Sequence, residues 1–210
     1  MNKKCGFCLA LMIMFLTACG SPPANVPTTS APVEPLPSPG SPTPPGLRLE
    51  DIAAGAITAL ACQDLATLAR WVHPELGLRF SPYAYVREDD LVFLPGELPE
   101  LWAGEQVFNW GFYDGSGEPI ALTFKNYFLR FVYSADFAHA EKTAINQRIG
   151  EGNSLNNIAA FYPGSVFVEY HFSSFDPQYA GMDWQSLRLV FLQIDGQWWL
   201  VGIVHDEWTI

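Results

Sequence analysis

Apolar residues near the start of the folded part of the chain recur at the spacing of an α-helix. Ile52, Ala56, Ile57, Leu60 and Ala61 lie three to four positions apart and therefore share one face of a helix. This stripe predicts an amphipathic helix whose apolar side packs on a core.

Two further helices are indicated by residues that cap helix ends. Asp64 precedes an apolar run, and its carboxylate can accept hydrogen bonds from the free N–H groups of a short helix that His73-Pro74 ends. Another helix is predicted to begin at Thr123. Its buried side would carry Phe124, Tyr127, Phe128 and Phe131.

The second half of the chain is patterned for β-strands. Three segments are rich in aromatic and β-branched residues: Val166–Ser174, Trp184–Ile194 and Trp198–Thr209. Asp195-Gly196 is typical of a type I′ hairpin turn, which needs positive φ at both central positions. An earlier strand is predicted near Val107–Tyr113. Together these elements predict an α+β fold, with N-terminal helices packed on a curved, mainly antiparallel sheet.

The hairpin turn also predicts which side chains of the last two strands share a face, because side chains alternate along a strand. Counting from the turn pairs Leu192 with Trp199 and Val190 with Val201 on one face. The same face would carry, farther from the turn, the pairs Arg188 with Ile203, Ser186 with His205 and Trp184 with Glu207. That face would be apolar near the turn and ionisable at its far end, which suits a pocket. A solvent-facing or internally paired strand end explains the same residues, and a β-bulge would change the register.

The amino terminus has the features of an export signal. Lys3 and Lys4 precede an apolar run from Phe7 to Leu16, which is too short to span a bilayer core that needs about 20 apolar residues. Residues 1–18 are therefore predicted to be a signal peptide. Their removal would leave 9 cationic and 22 acidic side chains, a net charge of −13.

Leu16-Thr17-Ala18-Cys19 resembles the bacterial lipobox, in which the cysteine is diacylated and the chain is cut before it. The resemblance implies that Cys19 is the lipidated first residue of a protein on the extracytoplasmic face of the cell membrane, since two or more acyl chains anchor stably. An ordinary signal peptide with a chance cysteine is the alternative.

A proline-rich stretch separates the lipidation site from the folded domain. Residues 21–46 hold 10 of the 17 prolines, and such a sequence cannot bury a core. Residues 19–46 are therefore predicted to be a disordered tether that could reach roughly 80 Å in polyproline geometry. Residues 47–210 would form one domain. The acidic charge argues against a nucleic-acid partner.

Several strings within the domain carry a resemblance to a known fold family. They are His73-Pro74-Glu75, Arg79-Phe80-Ser81-Pro82-Tyr83, Trp110 to Gly117, Glu169-Tyr170-His171-Phe172, Gly181-Met182-Asp183-Trp184 and Gly202 to Ile210. With the order of elements, they resemble the nuclear transport factor 2-like, or SnoaL-like, cone fold, and a family of uncharacterised bacterial envelope lipoproteins. The resemblance implies a curved sheet around a helix, a cavity, and a possible homodimer paired through the sheets. The cone fold hosts isomerases, dehydratases, hydrolases and binding modules, so it does not fix an activity.

Two functional hypotheses remain. The first is a non-catalytic module that binds a small ligand or an envelope protein, without a cofactor, through Tyr83, Trp184, Ser186, Arg188, His205 and Glu207. An aromatic wall with an acidic rim would suit a cationic or amphipathic ligand.

The second hypothesis is a SnoaL-like enzyme. His205 or His171 would act as base, with Glu207, Asp206 or Glu169 orienting it and Tyr83 or Arg188 polarising the substrate. The four histidines are not spaced as metal ligands, and no metal site is predicted.

Overall fold

The computed structural model of the protein describes residues 46–209. The predicted signal peptide at 1–18, the lipidation site Cys19 and all but the last residue of the tether at 19–46 lie outside the described residues, as does Ile210.

One longer helix, α1, and four single-turn α-helices are distributed along residues 46–209. The α-helices are α1 (Leu49–Ala61), α2 (Leu65–Leu68), α3 (Leu98–Leu101), α4 (Phe124–Tyr127) and α5 (Ile158–Phe161). A 3-10 turn, Ala69–Trp71, continues α2, and a π-helical turn, Phe128–Val132, continues α4. Further 3-10 turns lie at Phe137–His139 and Pro177–Tyr179.

The strands form two sheets. They are β1 (Leu78–Ser81), β2 (Val92–Phe93), β3 (Val107–Phe112), β4 (Pro119–Thr123), β5 (Lys142–Ile145), β6 (Val166–Phe172), β7 (Gln185–Ile194) and β8 (Gln197–Glu207). The larger sheet has the order β2-β1-β8-β7-β6-β5, and β3 pairs with β4 in the smaller one. Within the larger sheet, β1 and β8 are parallel and the other pairs are antiparallel.

The main hydrophobic core lies between the helices and one face of the larger sheet. Ile52 and Leu60 of α1 are buried with Leu187 and Leu189 of β7 in one cluster. The hydroxyl of Tyr170 donates to the Ala53 carbonyl at 3.2 Å and so joins β6 to α1. The opposite face of the sheet has a smaller core, which the segment around α5 covers. The predicted α+β class with a mainly antiparallel sheet is confirmed.

The predicted local signals are also found in the structure. Asp64 accepts from the Thr67 N–H at 2.9 Å at the start of α2, and Thr123 accepts from the Asn126 N–H at 3.3 Å at the start of α4. Asp195 and Gly196 have φ of 52° and 78°, as a type I′ turn requires.

The predicted register of the terminal hairpin is wrong beyond Phe191. From the turn to the Phe191–Leu200 pair the register is the predicted one, but Val190 then pairs with Gly202 and not with Val201. Val201 is the extra residue of a β-bulge, and every later side chain of β8 changes face. Ser186 consequently pairs with Asp206, and His205 pairs with Leu187.

None of the helices within residues 46–209 is both long and apolar enough to cross a membrane.

Deletion of Val201 should prevent folding, because it would move His205 and Asp206 to the wrong faces of the sheet. The substitution Val201→Ala, which keeps the bulge and only shortens a side chain that is 2% exposed, should cost roughly 2 kcal/mol of unfolding free energy. Urea denaturation followed by circular dichroism compares the two. A cooperative transition of similar midpoint in both variants would contradict the assigned role of the bulge.

Candidate functional site

A buried ionic cluster lies on the face of the larger sheet that points away from α1. The Arg188 guanidinium donates to Glu169 Oε2 from Nε and to Asp206 Oδ2 from Nη1, both at 2.8 Å. Ser186 Oγ donates to Glu169 Oε1 at 2.7 Å, and His171 Nδ1 lies 2.8 Å from the same hydroxyl. All five side chains are buried, so the cluster is an internal, hydrogen-bonded network.

The segment before α5 covers this cluster. The N–H of Gly150 donates to Glu169 Oε1 at 2.9 Å, and the Gly150 carbonyl accepts from Arg188 and from Arg148. A Cβ at Gly150 would come within 2.5 Å of the Trp184 ring and closer still to Ser186 Oγ. Glycine is therefore the only residue that lets this segment approach the sheet so closely.

The electrostatic balance of the cluster is close to neutral. Burial alone would raise the pKa of Glu169, but the Arg188 guanidinium and the hydrogen bonds lower it overall. Burial raises the pKa of Asp206 even though Arg188 and Arg148 oppose the effect. Burial likewise lowers the pKa of His171. Two guanidinium groups thus face two carboxylates, an arrangement that serves packing and orientation.

A second pair of predicted residues lies on the opposite, helix-facing side of β8. His205 is fully buried, its ring meets Phe131 edge to face, and its Nε2 lies 3.3 Å from Glu207 Oε2. The direction of that contact is not that of a hydrogen bond, and neither imidazole nitrogen has a hydrogen-bond partner among residues 46–209. Arg130 holds both carboxylate oxygens of Glu207. Although burial pushes the pKa of Glu207 upward, His205 and Arg130 lower it to about 2.

A cleft of about 400 Å³ opens where the loop after β1, the strand β3 and the segment before α5 meet. We call it the aromatic cleft, because five of its lining residues carry aromatic rings: Tyr83, Tyr85, Trp110, Phe112 and Tyr113. Tyr85 and Phe112 at its rim are 52% and 50% exposed, whereas Trp110 is 1% exposed. The cleft is therefore aromatic from its rim to its inner wall.

Two of these rings are fixed by contacts with other residues of the domain. Trp110 stacks on Tyr127 at a centroid distance of 3.8 Å, and its indole N–H donates to the Leu122 carbonyl at 2.9 Å. The Tyr83 hydroxyl accepts from the Asp114 N–H at 3.1 Å. These contacts hold the rings in place before any ligand binds.

Charged groups of the cleft lie on the loop after β1 and at the end of β3. Asp90 is 5% exposed and accepts through Oδ2 from the Ser81 hydroxyl at 2.5 Å and from the Arg87 N–H at 2.9 Å. Burial raises the pKa of Asp90, against the effect of both hydrogen bonds. Asp114 accepts from the Thr209 hydroxyl at 2.6 Å.

One side-chain amide joins two of the segments that line the cleft. Asn157 accepts from the Val86 N–H at 2.7 Å and donates to the Val86 carbonyl at 2.9 Å. Asn157 therefore pairs with the loop after β1 as a neighbouring strand would. The same segment contributes Ser154 and Leu155 to the cleft.

The structure separates the predicted site residues into three groups. Tyr83 lines the aromatic cleft, His205 and Glu207 face the helices, and Ser186, Arg188 and His171 belong to the ionic cluster, which Trp184 borders. The prediction that Arg188, Ser186, His205 and Glu207 lie together is wrong, because the bulge at Val201 turns the last residues of β8 over. Asp206, which the predicted register placed on the other face of the sheet, lies beside Arg188 instead.

Sequence reasoning did not single out Asp90, Asn157 or most of the cleft's aromatic residues as parts of one site. Gly111, with φ of 108°, lies at an irregularity in the β3–β4 pairing, and such bulges often re-aim neighbouring side chains. The aromatic residues on either side of Gly111 were thus the sequence feature that could have indicated the cleft. In the part of the chain that the structure describes, no three His, Cys, Asp or Glu side chains are grouped to hold a metal ion.

Comparison with known proteins does not identify a family for this chain. No protein-family model matches the chain, and no curated protein sequence matches it. Among solved structures, a protein of Xanthomonas campestris described as a calcium/calmodulin-dependent protein kinase II association domain is similar, with a TM-score of 0.29 and 14% sequence identity. The match covers 77% of this chain and 88% of that one. A similarity of this degree assigns no function.

The substitution Arg188→Met should lower the free energy of unfolding by about 3–5 kcal/mol, because it leaves two buried carboxylates without their cation. Arg48→Met is the matched control, since the ion pair of Arg48 with Asp51 is on the surface and its loss should move the urea midpoint far less. Equal shifts in the two variants would show that the ionic cluster does not stabilise the fold.

Proposed function

We propose that the protein is a membrane-anchored, extracytoplasmic lipoprotein whose folded domain binds a small ligand in the aromatic cleft and does no chemistry on it. The observation that carries the proposal is the cleft itself. Its volume of about 400 Å³ is within the range of small-molecule sites, and two of its rings, Trp110 and Tyr83, are fixed before a ligand arrives.

The positions of the histidines favour binding over the alternative of a SnoaL-like enzyme. A general base must come within hydrogen-bond reach of the substrate. His205 is fully enclosed beside Phe131, and His171 is 5% exposed and engaged with Ser186. Neither ring lines the aromatic cleft. The carboxylates beside them, Glu207 and Glu169, are already paired with Arg130 and Arg188.

The cone fold is part of the proposal. Helices that pack on one face of a mainly antiparallel sheet, with the two longest strands at the carboxyl end, agree with the nuclear transport factor 2-like arrangement that the sequence strings resemble. In this arrangement β8 lies inside the sheet, between β1 and β7. A rigid scaffold of this kind can present loops that differ between proteins.

The membrane anchor rests on the sequence before the domain. A short apolar run, a small residue and Cys19 fit diacylation, and the proline-rich stretch from 21 to 46 fits a spacer between the membrane and the domain.

Lipidation is tested by growing cells that express the full chain with an alkyne-tagged fatty acid. We expect label on the protein and recovery in the membrane fraction, both lost in Cys19→Ala. Cys8→Ala should keep both, because Cys8 precedes the Leu16-Thr17-Ala18-Cys19 string. Unlabelled protein, or label that persists in Cys19→Ala, would contradict the proposed anchor.

Ligand binding is tested by a thermal-shift screen of the full chain in non-ionic detergent, followed by calorimetry of the compounds that raise the melting temperature. Phe112→Ala should weaken these compounds about tenfold or more through lost ring contact. Phe175→Ala is the matched control, because Phe175 is 52% exposed and does not line the cleft. A screen without hits, or hits that both variants bind like the wild type, would count against the cleft as a binding site.

A further inference from the structure

We propose that the aromatic cleft selects an organic cation, an amine or quaternary ammonium group on an apolar body, with Asp90 as its counter-ion. This inference rests on the proposed function, because it names the chemical class of ligand for the same cleft. It draws on the hydrogen bonding of Asp90, the arrangement of the rings and the charge of the chain.

The carboxylate of Asp90 has one oxygen in use and one without a partner. Oδ2 accepts from Ser81 and from the Arg87 N–H, whereas Oδ1 makes no hydrogen bond within residues 46–209. Asp90 as a residue is 5% exposed and lines the cleft. Oδ1 is not one of the enclosed side-chain atoms without a partner, so it reaches solvent and can meet a cation or a donor of a ligand.

The cationic side chains nearest to Asp90 form no direct ion pair with its carboxylate. Arg79 donates from Nη1 to the Asp90 backbone carbonyl at 2.7 Å, not to the carboxylate. Arg87 lines the cleft, but its guanidinium makes a two-point ion pair with Asp89, at 2.8 and 2.9 Å. Among the described residues, no Lys or Arg nitrogen comes within 4.0 Å of the Asp90 carboxylate. Burial raises the pKa of Asp90, and Arg79 opposes that rise through its charge without forming an ion pair, so a ligand can supply the direct cationic partner.

The rings favour the same class of ligand. The face of an aromatic ring carries negative potential and attracts ammonium groups, most strongly when water is excluded. Trp110 is held by stacking on Tyr127, and its indole N–H is already bound to the Leu122 carbonyl. The indole donor is therefore not available to an anion, and the half-exposed rings of Tyr85 and Phe112 are the π-surfaces that a ligand can reach.

The overall charge acts in the same direction. The mature chain would carry 9 cationic and 22 acidic side chains, so its field attracts cations and repels anions. Asp114 at the end of β3 adds a second carboxylate to the cleft. An organic anion of the same size would be repelled both by the overall negative charge of the chain and by the Asp90 carboxylate.

The test is calorimetry of the full chain in non-ionic detergent with three probes that share one benzyl group: benzyltrimethylammonium, N-benzylacetamide and phenylacetate. We expect the cation to bind about tenfold or more tightly than the neutral amide, and the anion to bind weakest. Asp90→Asn should remove the preference for the cation and leave the affinity for the amide unchanged, since Asn can still accept from Ser81 and Arg87. Glu88→Gln removes an equal charge from a neighbouring exposed residue and should change neither affinity.

A second pair of variants is independent of the buried carboxylate. Tyr85 is half exposed, so both Tyr85→Phe and Tyr85→Leu should fold. Phe keeps the π-face and should keep cation binding, whereas Leu should weaken the cation several-fold more than the amide. Equal binding of cation and amide to the wild type would overturn the choice of a cation while leaving the cleft as a ligand site. Failure of all three probes would overturn this inference as well, and the compound screen with Phe112→Ala then decides the proposed function separately.

Discussion

The β-bulge at Val201 decides which side chains of the terminal hairpin meet. It gives β8 one residue more than the part of β7 that it faces. Without the bulge at Val201, strict alternation would place His205 beside Ser186 and would turn Asp206 toward the helices. With it, Asp206 completes the coordination of Arg188, and His205 enters the aromatic packing around Phe131. The bulge therefore separates a charged face from an apolar face near the carboxyl end of the sheet.

The charged face of the sheet fixes the position of the segment that leads to α5. Glu169 and Arg188 bind the backbone at Ile149 and Gly150, so the segment that leads to α5 lies flat on the sheet. A few residues later this segment supplies Ser154 and Leu155 to the aromatic cleft. The buried ion network and the cleft are thus neighbouring parts of one structure, in which an internal interaction supports an exposed cleft.

The sequence predicted those features that depend on neighbours in the chain. The stripe of α1, the caps at Asp64 and Thr123, and the Asp195-Gly196 turn are local, and all are present in the structure. The parallel pairing of β1 with β8 joins residues more than 120 positions apart, and no local signal encodes it. The bulge also escaped prediction, because Val201 and Gly202 can be buried in either register.

The candidate site was less predictable than the fold for the same reason. The ionisable residues chosen from the hairpin are used in internal contacts, and of all the predicted binding residues only Tyr83, from the loop after β1, lines the aromatic cleft. The cleft itself is assembled from residues 82–90, 110–114 and 154–155, and only tertiary structure brings these three segments together. Periodicity identifies the buried side of an element, but it does not show which loops meet above it.

The paired hydrogen bonds between Asn157 and Val86 require an asparagine at position 157. Only a carboxamide presents a donor and an acceptor side by side at this reach; aspartate would direct an oxygen at the Val86 carbonyl, and leucine would leave both backbone groups unpaired. In related chains, an asparagine at this place would accordingly be as diagnostic of a preserved aromatic cleft as the rings themselves.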